Sequence, residues 1–389
     1  MDQASQTPLA LYVHWPFCLS KCPYCDFNSH VARQVDDAQW ADAMGRELTH
    51  HAAMAGKTSQ RLSSIFFGGG TPSLMAPDTM AAIITKAQDL FGFDDDIEIT
   101  MEANPTSVEA DKLKAFHDAG ANRLSMGIQS LKQTGLADLG REHSAQEALD
   151  ALDKARQIFD RVSADFIYAR SHQSLTEWQD ELTMILALGL DHLSLYQLTL
   201  EPGTAFYSRH QRGQLDIPNA DDARNFYDLT QEMTEAAGCP AYEISNHAKP
   251  GQESRHNLIY WQAFDWLGIG PGAYGRFWVE DKRTETRSRR DPAAWLDDVL
   301  RQNHAIDHHQ EDSLKDFAHE ALMMGLRLHQ GVDLNRIQAR SGPISTWGDA
   351  AALDQLIDNN LVALDAGHLR LTNHGRPLLN SILDHLTGH

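Results

Sequence analysis

The stretch Cys18-Leu-Ser-Lys-Cys22-Pro-Tyr-Cys25 holds three of the four cysteines in this chain of 389 residues. It follows a predicted strand at Ala10–His14, so the three cysteines are expected on a loop. A loop can wrap its thiolates around one iron–sulfur cube, whereas the side chains of a regular helix or strand would point apart. Three ligands leave one iron of a 4Fe–4S cluster without a protein donor, and such an open position can bind a substrate or cofactor. The spacing C-x3-C-x2-C therefore predicts a 4Fe–4S cluster on Cys18, Cys22 and Cys25.

Two other interpretations of these cysteines stay open at this point. A structural zinc site needs four ligands, usually as two C-x2-4-C pairs. Cys239 or a histidine could complete the set, but the second pair is missing. The three cysteines could also be buried structural thiols, and Cys239 by itself is expected to be one.

Around the cysteines, short apolar runs alternate with longer amphipathic helical patterns over the first two-thirds of the chain. Repeated β-then-α units of this length predict a parallel sheet with helices packed outside it. The fold class is α/β, an incomplete (β/α)6 barrel, with a doubly wound open sheet as the alternative. The predicted strands are Ala10–His14, Ser63–Phe67, Ile97–Glu102, Asn122–Met126, Val162–Tyr168 and His192–Leu198. The predicted helices are Ala38–Ala55, Thr79–Phe91, Ala110–Ala119, Ala145–Phe159, Leu175–Leu188 and Asp221–Ala237.

The pattern changes after Gly238, and three domains are expected. Residues 1–240 form the barrel, residues 241–310 a connecting region that contains strands, and residues 311–389 a small C-terminal domain. In the connecting region, short strands are predicted at Tyr242–Ser245 and Trp278–Arg287, around a Gly-rich loop at Gly268–Gly275. The C-terminal domain combines helices with a hairpin, as in winged-helix domains. Its predicted elements are helices Leu314–Leu328, Leu334–Ser341 and Asp349–Asn359 and strands Leu361–Leu364 and His368–Leu371.

The charge balance argues against nucleic acid as a partner. The chain has 33 Lys and Arg against 54 Asp and Glu, a formal charge of 33 − 54 = −21, and binding to phosphates requires cations. The basic run Lys282–Arg290 is interpreted as a solvated loop or strand pair. Met1–Leu9 carries no Lys or Arg, and no apolar stretch approaches the roughly 18 residues of a membrane span. These features predict a cytoplasmic protein without a membrane anchor.

Polar and glycine residues follow the ends of several predicted strands. Ser64-Ile-Phe-Phe-Gly-Gly-Gly-Thr-Pro72 ends a strand in three glycines, which allow a backbone to approach a ligand closely. Glu102 and Gln129 stand at the next two strand ends, Asp165 lies on the following strand, and Arg141 comes shortly after Gln129. In a parallel sheet, ligands gather beyond the carboxyl ends of the strands. We therefore expect these residues to share one pocket mouth.

C-x3-C-x2-C with Tyr24 before the third cysteine resembles the radical S-adenosylmethionine (SAM) superfamily. Tyr12–Cys18, Gly68–Pro72, Glu102–Pro105 and Gly127–Ser130 resemble its branch of coproporphyrinogen dehydrogenases (HemN) and HemW proteins, and this likeness runs through essentially the whole chain. The resemblance implies that the open iron chelates the amino and carboxylate groups of SAM. It implies cofactor contacts from Tyr12, Tyr24, Gly69, Gly70, Thr71, Glu102, Gln129, Arg141 and Asp165. Tyr196–Thr204 and Tyr242–Asn246 are also typical of this branch and are expected to shape the cavity floor.

Three departures within this branch bear on function. The dehydrogenases carry a fourth cysteine where this chain has Phe27, and they have a longer N-terminal extension, so both features favour the HemW-like chaperones. Where the family usually has Gly-Leu-Pro-Gly-Gln, this chain has Ala169-Arg-Ser-His-Gln173, which puts the shape of that loop in doubt.

Ser254–Trp261 contains H-N-x-x-Y-W, a HemW-like motif, and predicts His256 as an axial heme ligand within an aromatic slot. The alternative is a hydrogen-bonded histidine beside an aromatic core. The resemblance then implies a heme chaperone that delivers heme to acceptor hemoproteins such as respiratory cytochromes, with a possible cluster-dependent homodimer. The alternatives are an oxygen-independent coproporphyrinogen III dehydrogenase and, least favoured, a winged-helix regulator with an Fe–S sensor.

Overall fold

In the computed structural model, which describes residues 7–56 and 60–388, strands and helices alternate through residue 248. Most of Met1–Leu9, where the absence of a basic leader was predicted, therefore lies outside the described residues. The strands are β1 (Leu9–Trp15), β2 (Phe17–Cys18), β3 (His30–Val31), β4 (Leu62–Gly69), β5 (Phe93–Ala103), β6 (Arg123–Gln129), β7 (Arg161–Tyr168), β8 (His192–Gln197) and β9 (Asn246–Ala248). The helices are α1 (Asp37–Ala55), α2 (Pro77–Phe91), α3 (Ser107–Ala110), α4 (Leu113–Asp118), α5 (Gln133–Asp138), α6 (Ala145–Arg156), α7 (Leu175–Ala187), α8 (Ala205–Gln211) and α9 (Ala220–Ala236).

The six predicted strands are confirmed as β1 and β4–β8, with small shifts at their ends. The predicted helices are found as well, except that Ala110–Ala119 is divided into α3 and α4. Ser144 caps α6, because its side chain accepts from the backbone N–H of Glu147 while the Glu147 carboxylate accepts from the Ser144 N–H. This reciprocal pair of bonds satisfies two N–H groups that a helix start leaves without partners.

The connecting region adds α10 (Arg255–Trp261), β10 (Asp265–Ile269), β11 (Tyr274–Val279), β12 (Lys282–Ser288), α11 (Pro292–Gln302) and β13 (Ile306–Asp312). Three of its predicted elements are wrong. The predicted strand Trp278–Arg287 is a hairpin, because β11 ends at Val279 and β12 begins at Lys282. Residues 242–245 turn instead of forming a strand, since the Tyr242 N–H donates to the Asn246 carbonyl at 3.0 Å. The expected loop at Gly268–Gly275 is partly strand, because β10 ends at Ile269 and β11 begins at Tyr274.

Among the described residues, eleven strands form one open sheet in the order β13-β12-β11-β10-β1-β4-β5-β6-β7-β8-β9. From β10 to β8 neighbouring strands are parallel, and the outer strands at both edges are antiparallel. The α/β fold with a sheet that does not close is the predicted class. The parallel part has one strand more than expected, because β10 pairs with β1 across about 250 residues of sequence.

The two faces of the parallel strands differ in polarity, as the side-chain alternation of a strand requires. On β4, Ile65 and Phe67 belong to the main core, whereas Ser64 belongs to the opposite, inner face. The inner face is polar and hydrogen-bonded across strands: Ser125 Oγ lies 2.8 Å from Ser163 Oγ. The polar groups of the inner face can bind a ligand at one end of the sheet. At the other end, they must be hydrogen-bonded or paired within the chain.

The C-terminal domain has its own apolar core, which includes Phe317, Leu322 and Leu369. Its predicted hairpin is confirmed, and a third short strand pairs with it in the order β14-β16-β15. Its elements are α12 (Leu314–Gly325), β14 (Val332–Asp333), α13 (Leu334–Ser341), α14 (Ala350–Asp358), β15 (Val362–Asp365), β16 (His368–Leu371) and α15 (Leu379–Thr387). No helix in the described part of the chain is long and apolar enough to cross a bilayer.

The basic run Lys282–Arg290 forms paired strand, as one of the two interpretations predicted, since Lys282–Ser288 is β12 and pairs with β11 and β13. It is not solvated throughout. Arg283 is 0% exposed, and its guanidinium lies 2.5 Å from an Asp265 carboxylate oxygen. It also lies over the rings of Trp278 and Phe317, where β12 meets the C-terminal domain. The prediction was wrong at Arg283 because only the tertiary structure supplies the carboxylate and the rings that make burial of a cation tolerable.

Candidate functional site

A cavity of about 740 Å³ opens at the carboxyl ends of the parallel strands. We name it the cluster cavity. The predicted site residues that line it are Cys18, Cys22, Tyr24, Cys25, Gly69, Gly70, Thr71, Glu102, Gln129, Arg141 and Asp165. The two segments expected at its floor also contribute, through Tyr196–Thr199, Glu201, Ile244 and Ser245. The expected shared pocket mouth is therefore present.

Cys18 ends β2, so the prediction that all three cysteines lie on a loop is wrong for Cys18, whereas Cys22 and Cys25 do lie on one. This cysteine loop runs between β2 and β3 and is fixed by its backbone. The Cys25 N–H donates to the Cys22 carbonyl at 3.1 Å, and the Thr71 N–H donates to the Phe17 carbonyl at 2.9 Å. A side chain at Gly70 would bring a Cβ within 2.7 Å of the Phe17 oxygen. In this structure, the absence of a side chain at Gly70 thus permits close contact between β4 and the cysteine loop.

Each of the three sulfurs has a polar side-chain neighbour, and the Tyr24 side chain also hydrogen-bonds Cys22. Thr71 Oγ1 donates to Cys18 Sγ at 3.4 Å, an Arg141 Nη donates to Cys22 Sγ at 3.3 Å, and Ser29 Oγ lies 3.8 Å from Cys25 Sγ. Burial raises the pKa of the Cys18 and Cys25 thiols, so metal binding there must displace protons.

Within the described residues, no three His, Cys, Asp or Glu side chains converge on a point that could hold a single metal ion. A cubane makes a different demand, because each thiolate binds a different iron of the cube. Three thiols spread over one wall of a cavity are compatible with that demand.

Two carboxyl groups, Glu102 and Asp165, lie together on the inner face of the cluster cavity. Burial, with the nearby Asp165 charge, raises the pKa of Glu102 to about 8. Burial also raises the pKa of Asp165, although Ser125 and Ser194 donate to it. Neither carboxyl forms an ion pair among the residues described. The cavity therefore presents two carboxyl groups without an ion-pair partner, and an ammonium group or ribose hydroxyls of a ligand would suit them.

Gln129 has an unusual backbone conformation and an unpaired side-chain oxygen, which together indicate a ligand. Its φ is 71°, in the left-handed region that non-glycine residues seldom adopt. Its buried Oε1 has no hydrogen-bond partner in the described part of the chain. A buried unpaired amide oxygen costs free energy, so its position in a ligand cavity indicates that a bound molecule supplies the donor.

Two predicted site residues do not line the cluster cavity. Tyr12 lies one layer below it, where its hydroxyl bonds His14 Nδ1 at 3.0 Å and its ring stacks on Phe66. His256 lies deeper still and is 1% exposed. Its Nδ1 lies 2.9 Å from Ser64 Oγ, and its Nε2 lies 2.6 Å from the Tyr260 hydroxyl. We call this lower layer the barrel floor; it consists of Ser64, Glu98, Arg123, His256 and Tyr260.

The atypical loop Ala169–Gln173 keeps a backbone that would suit the glycines it lacks. Ala169 has φ 54° and His172 has φ 60°, at the two positions where the family usually has glycine. Arg170 is buried and pairs with Glu181 on α7 at 2.6 Å, and it also donates to the Ile167 carbonyl. This ion pair anchors the loop next to the cavity wall.

Sequence reasoning did not assign a role to Asn104 or His143, and both line the cluster cavity. Asn104 stands two residues after Glu102 and His143 two residues after Arg141, inside segments that were already singled out. Their position next to strand-end residues was the available signal. Their contacts depend on loops brought together by the fold, and no local pattern predicts those.

Residues 12–185 match the sequence model of the radical SAM superfamily, and residues 312–378 match that of the HemN C-terminal domain. The chain is 38% identical over 389 residues to the Mus musculus protein named radical S-adenosyl methionine domain-containing protein 1, mitochondrial, covering 98% of this chain and 88% of the relative. It is 34% identical over 380 residues to the heme chaperone HemW of Escherichia coli, covering 97% of each chain.

The fold is also similar to a solved structure, that of coproporphyrinogen III oxidase (HemN) from Escherichia coli, a radical SAM enzyme. The TM-score is 0.80 over 97% of this chain and 89% of the other, at 24% identity. At that identity, the similarity demonstrates a shared fold, including the C-terminal domain.

Proposed function

The chain belongs to the radical SAM superfamily, in the family that includes the heme chaperone HemW, and from this premise we propose that it is itself a heme chaperone. The observation that carries the proposal is the 34% identity to HemW over 97% of both chains. Phe27 supports it, because this exposed side chain occupies the position where the dehydrogenase branch has a fourth cysteine.

We propose that Cys18, Cys22 and Cys25 hold a 4Fe–4S cluster and that SAM binds beside it. The proposal is supported by three thiols on one cavity wall, two carboxyls without ion-pair partners and the unpaired Oε1 of Gln129. When bound, such a cluster supplies electron transfer and one open iron as a Lewis acid. The chain's own part is to orient SAM: Glu102 and Asp165 would accept from its amino and hydroxyl groups, and Gln129 would accept through Oε1.

The heme site is a separate part of the proposal. His256 remains our proposed axial ligand, but both of its ring nitrogens are engaged, by Ser64 and Tyr260. Heme ligation through Nε2 therefore requires that the Tyr260 hydroxyl release it and that helix α10 move. If His256 is a ligand, removing the Tyr260 hydroxyl should therefore affect heme binding; if His256 is purely structural, it should not.

An anaerobic hemin titration of the cluster-reconstituted protein, followed in the Soret band, tests the proposal. We expect saturation near one heme per chain, loss or alteration of the spectrum in His256→Ala, and tighter binding in Tyr260→Phe, which frees Nε2. Tyr260→Phe with unchanged affinity, together with an unchanged spectrum in His256→Ala, would exclude His256 as the ligand. Absence of any specific heme binding would remove the chaperone proposal itself.

The runner-up function is oxygen-independent decarboxylation of coproporphyrinogen III. The fold shared with HemN favours keeping it as a candidate. Its signature is SAM consumption coupled to formation of protoporphyrinogen, measured anaerobically with a chemical reductant. We expect none, because the position of the fourth cysteine is Phe27.

The recipients, assembly and location are further parts of the proposal. We expect transfer to apo-hemoproteins such as respiratory cytochromes, and a homodimer that forms only with the cluster. Light scattering of loaded and cluster-free protein tests the second point. A cytoplasmic location also stays a prediction, to be checked by fractionation, since the mouse relative carries "mitochondrial" in its name.

A further inference from the structure

Asn104 lies between the two hydrogen-bond donors that reach the sulfurs of Cys18 and Cys22. Its Nδ2 donates to Thr71 Oγ1 at 3.3 Å, and Thr71 Oγ1 in turn donates to Cys18 Sγ at 3.4 Å. Its Oδ1 accepts from an Arg141 Nη at 2.7 Å, and the other Nη of Arg141 donates to Cys22 Sγ at 3.3 Å. One amide group thus contacts one polar partner of each of two different cysteines.

The direction of these hydrogen bonds follows from the chemistry of the groups. A guanidinium only donates, so Arg141 must face the oxygen of the Asn104 amide, and Nδ2 must face Thr71. A threonine hydroxyl has a single proton, and because its oxygen already accepts from Asn104, that proton is directed to sulfur. The amide therefore sets the donor orientation at both sulfurs.

Glu109 holds Asn104 in this orientation. The Glu109 carboxylate is buried and accepts from the Asn104 backbone N–H at 2.9 Å and from Nδ2 at 3.4 Å. Ser73 and Thr106 also donate to the same carboxylate. Flipping the amide would place the acceptor Oδ1 against the acceptor oxygens of this carboxylate and the donor Nδ2 against the Arg141 donor, so the alternative orientation is disfavoured at both ends.

Cys25 provides an internal contrast. Its polar side-chain neighbour is Ser29 at 3.8 Å, and it also has a hydrogen bond from the Phe27 backbone. No hydrogen bond in the described residues joins Ser29 to Asn104. The arrangement therefore distinguishes two of the three sulfurs from the third.

We propose that Asn104 is a positioning residue for the cluster, which orients Thr71 and Arg141 onto the sulfurs of Cys18 and Cys22. The inference deepens the proposed function and rests on the assignment of the cysteines as cluster ligands. Hydrogen bonds to ligating sulfurs stabilise the more negative, reduced state and so raise the reduction potential. They also hold the thiolates in place and slow the loss of iron.

The test is an anaerobic redox titration of the reconstituted cluster, followed by electron paramagnetic resonance, on wild type, Asn104→Ala and Ser29→Ala. In Asn104→Ala we expect the equilibrium constant for one-electron reduction to fall about tenfold, a shift of about 59 mV to lower potential. Iron release to a chelator should become about 10-fold faster. Ser29→Ala is the matched control, since it removes a contact to the third sulfur that Asn104 does not reach, and should change both values much less.

If Asn104→Ala does not fold, Thr71→Val is the second variant, since it keeps the shape and removes the donor to Cys18 together with the acceptor for Asn104 Nδ2. It should lower the potential by about half as much. A wild-type potential in Asn104→Ala, or an equal shift in Ser29→Ala, overturns the inference and leaves the cluster assignment standing. Failure of the wild-type protein to take up iron and sulfide overturns the cluster assignment and the inference with it.

Discussion

The cluster cavity and the barrel floor are built on the same strands, but their buried carboxyl groups have different partners. Glu98 and Glu102 lie four residues apart on β5, on the same inner face. Glu98, at the floor, lies 2.5 Å from an Arg161 Nη and also accepts from the backbone N–H groups of Arg255 and His256. Glu102, at the cavity, faces the carboxyl of Asp165 instead. The floor is closed by partners within the chain, whereas the two cavity carboxyls have no ion-pair partner in the described residues and their ionisation is disfavoured.

This contrast explains why a histidine in a HemW-like motif is found so deep in the molecule. The Ser254 side chain caps α10, and Glu98 accepts from the first N–H groups of that helix. Glu98 therefore fixes α10 across the lower end of the barrel, where a carboxylate at a helix N-terminus is favourable. His256 is held in place by the same contacts that close the floor.

The largest effect is expected when one cysteine of the cluster cavity is replaced, which tests the cluster assignment. Cys22→Ser should abolish the cluster completely, because two cysteines cannot hold a cubane in an open cavity. Iron and sulfide content and the visible charge-transfer absorbance after anaerobic reconstitution measure this. Cys239→Ser is the matched control, since Cys239 is buried elsewhere in the main core, and it should retain a full cluster. Equal loss in both variants would contradict the assignment.

At the floor, Glu98→Gln should destabilise the protein by about 3–5 kcal/mol, since it leaves the buried guanidinium of Arg123 and that of Arg161 without their carboxylate. Urea unfolding of the cluster-free protein measures the change in the free energy of unfolding. A loss below about 1 kcal/mol would mean that the floor is not held by this carboxylate.

At the cavity, we expect Glu102→Gln to raise the free energy of unfolding, whereas Glu98→Gln lowers it. The pKa of Glu102 is about 8 in the folded protein against an ordinary value of 4.5, so the folded state binds more protons than the unfolded one. Stability contributed by the protonated carboxyl is therefore lost as the pH rises from about 4.5 to about 8.

Removing that ionisation should stabilise the ligand-free protein at about pH 8 by about 1–2 kcal/mol and flatten its pH dependence. Urea unfolding near pH 6 and near pH 8 measures both. SAM binding should weaken in the same variant, as followed by calorimetry of reconstituted protein. If Glu102→Gln destabilises at both pH values, the carboxyl has an internal partner, and the contrast with Glu98 fails.

The smallest expected effect concerns the loop beside the cavity. Ala169 has φ 54°, so Ala169→Gly should stabilise the protein by about 0.5–1 kcal/mol, because glycine adopts this conformation without strain. Ala164→Gly, on the regular part of β7, is the control and should destabilise by about 1 kcal/mol. Thermal unfolding of the two variants against wild type measures the difference. Destabilisation by Ala169→Gly would show that the packing of the methyl group contributes more free energy than the backbone strain costs.

Much of the fold could be predicted because its signals are local. Val162–Tyr168 was expected as a strand and β7 is Arg161–Tyr168, since a short apolar run with aromatic and β-branched residues is visible within the segment itself. The helix expected at Ala145–Phe159 begins at Ala145, where Ser144 provides a capping box with Glu147. The pairing of β10 with β1 could not be predicted, because a partner 250 residues away leaves no mark on either segment.

The sequence alone determined the cysteine loop, the strand-end residues and the α/β order, because spacing and periodicity are properties of neighbouring residues. Only the tertiary structure decided which of these residues share the cluster cavity and which lie elsewhere. It placed Asn104 between Thr71 and Arg141, the two side chains that donate hydrogen bonds to cysteine sulfurs. It placed His256 in the barrel floor, on helix α10, whose N-terminus is bound by Glu98. The physical reason is that hydrogen bonds and burial depend on side chains brought together from distant segments, and these energies exist only once the chain has folded.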